Sequence, residues 1–397
     1  MTAILARSRR SPLRRPASSP PLALKTIRNL DGVRGFAVLF VVFFHLHELL
    51  PWGWMGVQLF FVLSGFLISG ILLESRDQPI GGYLRRFYVR RVLRIFPLYF
   101  GYLAVLAIVL WTSGAPRALG DAWPWLCSFL YNWTRPDESW QLSRAITHLW
   151  SISVEEQFYF VWPFVVYFAP RRVVTAVALL TIALCPLWRW WLALHYQELS
   201  LHPYTVADAV YWNTFAQVDA FAFGALIATV PANVRARVSP HLVLALGVGA
   251  FLIAGIGAQL LLIQTGRIDY PVPHPVTQVA LGTLGFPFPL VWCDHHVWGY
   301  TVIDLLFAAI VWWAVSAKET WLLCNPLIVE IGRVSFGMYV LHHGLIDVAR
   351  TLLPSIGVNP KGALGVAIYL LTLFCLSRLV FAFWERPFLR MKSRLAP

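Results

Sequence analysis

An all-α polytopic membrane protein of about ten transmembrane helices, with both termini cytoplasmic, is predicted from three observations. The chain is 58% hydrophobic and only 13% charged, far less charge than a soluble domain of this size displays. Its mean hydropathy is +0.64. Apolar stretches of about 20 residues, long enough to cross a hydrocarbon core, recur through most of the chain, with basic residues gathered in alternate connections.

Residues 1–29 are basic and rich in Pro and Ser. No apolar run follows the early arginines as it would in a secretory signal, so the segment reads as a disordered cytoplasmic tail. Spans are expected near 31–50, 57–74, 95–113, 149–169, 173–194, 208–230, 241–264, 299–317, 326–349 and 362–384. The apolar stretch 276–293 is interrupted by Gly282, Gly285, Pro287 and Pro289. Irregular backbone is tolerated at membrane depth only where protein or water covers it, so this stretch is expected to be re-entrant or interfacial. With the N-terminus inside, the inner connections hold Arg85, Arg86, Arg90, Arg91 and Arg94, then Arg171–Arg172, Arg235–Arg237, Lys318 and the arginines after 385. A single membrane domain over 30–390 follows, with a short cytoplasmic tail at 391–397.

The net charge of +13 would suggest nucleic acid in a soluble protein. Here the basic residues lie between apolar segments, so lipid bilayer and cofactor contact replace nucleic acid as the expected partners. The five cysteines, Cys127, Cys185, Cys293, Cys324 and Cys375, are scattered singly. They offer no disulfide framework and no metal-ligand spacing.

The stretch Leu30–Gly70 could cross a bilayer twice, yet it carries Asp31, Arg34, His45, His47 and Glu48. Ionisable groups within membrane-length segments are costly and mark function by default. Arg34 and His45 are eleven residues apart, about three turns or roughly 16 Å of rise. They therefore share a face at different depths, Arg34 near the inner boundary and His45 in the outer half. The segment HLWSISVEEQFYFVWP places His148, Ser151, Ser153, Glu155, Glu156 and Gln157 near an outer end, and GRVSFGMYVLHHGLIDVAR does the same for His342 and His343. A histidine pair, a carboxylate pair and a second histidine pair could thus share one depth. An imidazole can take a hydroxyl proton while a carboxylate orients it.

A second cluster, YLRRFYVRRVLRIFPLYF, repeats Arg86, Arg90 and Arg94 every four residues, with Arg91 beside them and aromatics between. It suits phosphates and a purine ring, both present in a coenzyme A thioester. By spacing alone, a plain cytoplasmic topology signal is the better reading.

Taken in order, Arg34 and His45 with ten residues between them, FFVLSG at Phe60–Gly65, RRVLRIFPLY at Arg90–Tyr99, HLWSISVEEQFYFVWP at His148–Pro163, VSFGMYVLHH at Val334–His343 and a late FWERP resemble the membrane acyltransferase 3 family. The resemblance covers about residues 30–390. It implies transfer of an acyl group, most often acetyl, from cytoplasmic acyl-CoA to a hydroxyl of an extracytoplasmic carbohydrate: an exopolysaccharide, O-antigen or glycolipid. It implies no permanently bound cofactor and a place in the plasma (inner) membrane. His45 then looks like the catalytic base. Arg34 would guide the donor or order the first helix, and Glu156, ahead of Glu155, would support the reaction. Arg86, Arg90, Arg91 and Arg94 would hold coenzyme A phosphates, and His148, Ser153, Asp219 and His342 are candidate substrate-binding residues. Where many relatives carry arginine two residues before the sixth-span aspartate, this chain has Gln217 before Asp219.

Blander readings stand beside these. Ser64 suits close helix packing better than nucleophilic attack, and His295–His296 lack companion metal ligands at a useful spacing. A transporter of a lipid-linked sugar or other small molecule would also carry intramembrane charges on about ten helices, although no paired broken helices in two repeats are evident.

Overall fold

The computed structural model describes residues 28–46, 49–114, 120–134, 144–199, 203–265, 284–286 and 295–396. The predicted tail up to residue 27, His47, Glu48 and most of the interrupted stretch 276–293 lie outside the described residues. No strand occurs among the described residues.

The principal helices are α1 (Arg28–His45), α2 (Gly56–Ser75), α3 (Ile80–Thr112), α4 (Trp150–Phe168), α5 (Arg171–Glu198) and α6 (Val218–Thr229). They continue with α7 (Pro240–Thr265), α8 (His295–Ser316), α9 (Ser335–Ser355), α10 (Ala363–Val380) and α11 (Arg386–Leu395). Several starts are written in the sequence. Pro79 and Pro170 immediately precede α3 and α5, where extended geometry and a missing donor break any incoming helix. The Asn325 side chain accepts from the Leu327 and Ile328 amides at 3.0 and 3.4 Å, capping the short helix Pro326–Arg333 that leads into α9.

Six stretches among the described residues are long and apolar enough to cross a membrane: Gly53–Ser75, Ile80–Thr112, Arg171–Glu198, Pro240–Leu261, His295–Ser316 and Ala363–Leu395. The sequence reading counted ten. The other four fall on α1, α4, α6 and α9. Helix α6 has only 12 residues. The remaining three carry Asp31 and Arg34, Glu155 and Glu156, and Asp347 and Arg350 among their apolar residues. So the helices that miss the criterion are largely those that bear the candidate chemistry.

Burial sorts the bundle the same way. The apolar stretch of α2 is 72% buried, against 28% or less for α3, α5 and α7. Helix α2 is therefore central, and the others turn large aliphatic and aromatic side chains outward. Helix α2 can lie at the centre because it crosses α6 at very short range. A side chain in place of Gly65 would strike the Phe221 backbone, and one in place of Gly224 would strike that of Val62. Small residues at such a crossing let two backbones meet in an apolar medium. Helix α1 packs on Pro326–Arg333, where Gly332 faces the Asp31 backbone. Asn29 ties the start of α1 to the Ala314 carbonyl at the end of α8 at 2.9 Å. The start of the described chain thus packs against segments about 300 residues downstream, and α1 holds the residues around which the site is built.

Candidate active site

Four imidazoles converge where α1 ends. His45 supplies one, His148 just before α4 a second, and His342 and His343 in α9 the other two. Ring centroids are 5.1 Å apart for His45–His342, 4.3 Å for His45–His343 and 4.8 Å for His148–His342. His148 and His343 stack almost parallel, 4.9 Å apart at 9°.

Hydrogen-bond partners fix the roles of the ring nitrogens. Nδ1 of His342 lies 2.5 Å from the Tyr339 carbonyl, which can only accept, so Nδ1 carries the proton. That leaves the Nε2 lone pair of His342 facing His45 Nδ1 at 3.3 Å. His45 Nδ1 also lies 3.0 Å from the Val41 carbonyl one turn back. The Nδ1–H of His45 therefore sits between two acceptors, and the His45 Nε2 lone pair is left available. His148 donates from Nε2 to the Val340 carbonyl at 3.0 Å. Its Nδ1 and the Nε2 of His343 are buried without a hydrogen-bond partner.

A cavity of about 140 Å³ runs beneath this cluster. Arg34, Arg91, Arg94 and Glu155 line it, with Ser64, Tyr159, Ser151, Ser335 and Tyr339 among its other walls. Tyr159 donates to Glu155, and its oxygen meets Ser64 Oγ at 2.6 Å. The Arg91 guanidinium lies 5.2 Å over the Tyr159 ring. Arg34 and Arg94 make long ion pairs with carboxylates outside the cavity lining, Asp31 at 3.5 Å and Glu385 at 3.9 Å. These contacts are long, so the three guanidiniums that line the cavity keep donors able to turn toward an anion. Between cavity and histidines stands Tyr339, which donates to the His148 carbonyl at 2.9 Å and meets Ser151 Oγ at 2.5 Å.

The candidates named from sequence thus divide. His45, His148 and His342 come together. Arg34, Arg91 and Arg94 come together a few turns away. Arg90 instead donates from Nε and Nη2 to the Ala396 carbonyl at 3.1 and 2.9 Å, and neither it nor Arg86 lines the cavity. The sequence reading put Glu156 ahead of Glu155. The structure sets Glu155 in the arginine cavity, whereas Glu156 lines a largely apolar neighbouring cavity of about 710 Å³ with Phe96, Phe158 and Val161, the two sharing Arg91 and Tyr159 in their walls. Ser153 is fully buried and turns its hydroxyl back to the Leu149 carbonyl at 3.4 Å.

Asp219 is also fully buried and away from both cavities. Its Oδ1 accepts from Arg189 Nη2 at 2.5 Å and its Oδ2 from Thr301 at 2.7 Å. Gln217 receives a hydrogen bond from Gln58 at 2.7 Å and donates to the Tyr211 carbonyl at 2.6 Å. The ion pair that an arginine at position 217 would offer is made from α5 instead. Sequence reasoning passed over Arg189, although an arginine deep in an apolar helix, well past the Arg171–Arg172 pair at its start, is itself a signal of a buried partner. It also passed over Tyr339 and Tyr159, whose hydroxyls nothing in an aromatic-rich sequence singles out.

A family model described as an acyltransferase domain matches residues 27–383. "Putative peptidoglycan O-acetyltransferase YrhL" of Bacillus subtilis (strain 168) is 39% identical over 153 residues, covering 34% of this chain and 23% of its own length. "Peptidoglycan O-acetyltransferase OatA" of Listeria monocytogenes is 35% identical over 155 residues, covering 35% and 24%. "Putative O-acetyltransferase SACOL0978" of Staphylococcus aureus (strain COL) is 25% identical over 395 residues, covering 92% of this chain and 58% of the relative. The chain thus spans from about a quarter to somewhat over half the length of these relatives. No solved structure matches. The match of the family model over residues 27–383, nearly the whole described chain, means that this protein belongs to the acyltransferase 3 family.

Proposed function

We propose that this protein is a multi-pass plasma-membrane O-acyltransferase that moves an acyl group, most often acetyl, from cytoplasmic acyl-CoA to a hydroxyl of an extracytoplasmic carbohydrate. Two relatives carry peptidoglycan in their names. The acceptor class proposed for this chain is a surface carbohydrate of that kind, an exopolysaccharide, an O-antigen or a glycolipid.

The observation that carries the reading is the pair of acceptors on His45 Nδ1–H, Val41 O at 3.0 Å and His342 Nε2 at 3.3 Å. They hold one tautomer, in which Nε2 keeps its lone pair. They also stabilise the imidazolium formed when Nε2 takes a proton. In the step, His45 Nε2 removes the acceptor hydroxyl proton and the oxygen attacks the thioester carbonyl. The C–S bond breaks, and the coenzyme A thiolate leaves and is protonated. Arg34, Arg91 and Arg94 grip the donor's phosphates in the cavity below. The pantetheine arm reaches past Tyr339 and Ser151 toward His45. Glu155, held by Tyr159, orients the arginines that line the same cavity. His342 is a positioning residue, acting through His45.

Replacing His45 by Ala tests this. Membranes carrying the variant, given acetyl-CoA and isolated surface carbohydrate, are expected to lose transfer by about 10²–10⁴-fold with the protein still present in the membrane. Undiminished acylation, read as an acetyl mass increment on the carbohydrate, overturns the assignment.

A further inference from the structure

We propose that His45, His342 and His343 form a binding site for a late first-row divalent cation, zinc being the best fit, and that the bound ion shuts off transfer. The shut-off part rests on the reading of His45 as base; the binding part does not.

One ring nitrogen from each of the three histidines lies within 4.8 Å of the others. Two imidazole nitrogens on a tetrahedral zinc, each about 2.0–2.1 Å from the metal, stand about 3.3 Å apart. His45 Nδ1 and His342 Nε2 are already 3.3 Å apart, so closing the triad asks for an inward shift of about 1.5 Å at most. Three further features favour a cation. His342 is oriented by the carbonyl on its other nitrogen, Tyr339 O at 2.5 Å, the arrangement that fixes the tautomer of metal-bound histidines. His343 Nε2 is buried with no hydrogen-bond partner, a cost that a metal would offset. His148, stacked on the His343 ring at 4.9 Å, limits how far that ring can turn away. Imidazole donors select zinc, copper and nickel over magnesium and calcium, and three ligands leave the fourth position to water.

Occupancy is incompatible with general-base catalysis whichever nitrogen of His45 binds. Ligation through Nε2 takes up the lone pair that would accept the proton. Ligation through Nδ1 moves the ring proton to Nε2, with the same result.

The test uses detergent-purified full chain without a polyhistidine tag, stripped with chelator. Cobalt(II) is titrated as a spectroscopic stand-in, then displaced by zinc. One equivalent with a tetrahedral absorption spectrum is expected. Affinity should be weakened at least tenfold in His343→Ala and His342→Ala and unchanged in His295→Ala. His343→Gln repeats the measurement with bulk retained, and size-exclusion elution reports folding. Absence of stoichiometric binding overturns the site, as does an affinity in the His342 and His343 variants undiminished from that of the unaltered protein. Zinc at saturation should abolish acetyl transfer and chelator should restore it. Full transfer with metal bound overturns the shut-off, whereas loss of transfer in His45→Ala is scored separately and without metal.

Discussion

Two buried polar clusters lie in this bundle, and they are built on opposite lines. Around Arg189 four of the five guanidinium N–H groups are used: Nε donates to Ala216 O at 2.7 Å, Nη1 to Val297 O and Thr301 Oγ1 at 3.2 and 2.8 Å, and Nη2 to Asp219 at 2.5 Å. Both oxygens of Asp219 are used, and neither residue meets either cavity. Around His45 the bonding is left unfinished. His148 Nδ1 and His343 Nε2 lack partners, and His45 keeps a lone pair free. A nearly saturated cluster clamps helices, and here the buried Asp304 carboxylate near the pair is the acceptor left without a hydrogen-bond partner. An unsaturated one is costly in a low-dielectric interior and is kept for what it can bind or deprotonate.

The contrast can be broken most sharply at Arg189. Its replacement by Ala leaves Asp219 buried and uncompensated, a loss of about 3–5 kcal/mol, and little folded protein should survive extraction and size exclusion. Replacing Arg189 by Met and Asp219 by Leu together should recover much of that yield. A stable Arg189→Ala protein lacking only transfer would move this cluster into the active site. The arginine cavity comes next. Arg91→Ala or Arg94→Ala should raise KM for acetyl-CoA about 10–100-fold, the worth of a charged hydrogen bond, while Arg86→Ala changes it less than about threefold. Equal effects at all three positions would mean that the donor is held by general positive charge. The smallest difference separates the adjacent carboxylates. Glu155→Gln should lower kcat about tenfold, while Glu156→Gln stays within about twofold, and the reverse order would return the role to Glu156.

Much of the site was legible because membrane burial makes ionisable residues conspicuous. Arg34, His45, His342 and His343 stood out against apolar runs, and the structure brings the three histidines together while Arg34 lines the arginine cavity. Glu155 and Glu156 could not be separated in this way. Neighbours on a helix point about 100° apart, and helix rotation alone decides which enters the cavity. Periodicity grouped Arg86, Arg90 and Arg94 on one face. It could not foresee that the chain end would take Arg90 through the Ala396 carbonyl, or that Arg91, off that face, would reach the cavity over Tyr159. The partner of Asp219 sits 30 residues earlier in the chain, a pairing that only the packing of α5 against α6 reveals.

The packing of α1 sets a schedule for making this protein. Its first polar anchor, Asn29, finds the Ala314 carbonyl 285 residues downstream, and Gly332, which receives the Asp31 backbone, is made later still. At roughly 5–20 residues per second, synthesis of that interval takes on the order of 15–60 s. For that time α1 has only its early neighbours, the turn before α2 and α2 itself, where Gly53 meets the Phe40 backbone and Gly56 that of Ala37. The two helices can pair at once, while the start of α1, with Asn29 and Asp31, stays short of its later partners. That end of the helix is therefore completed only as about the last fifth of the chain emerges.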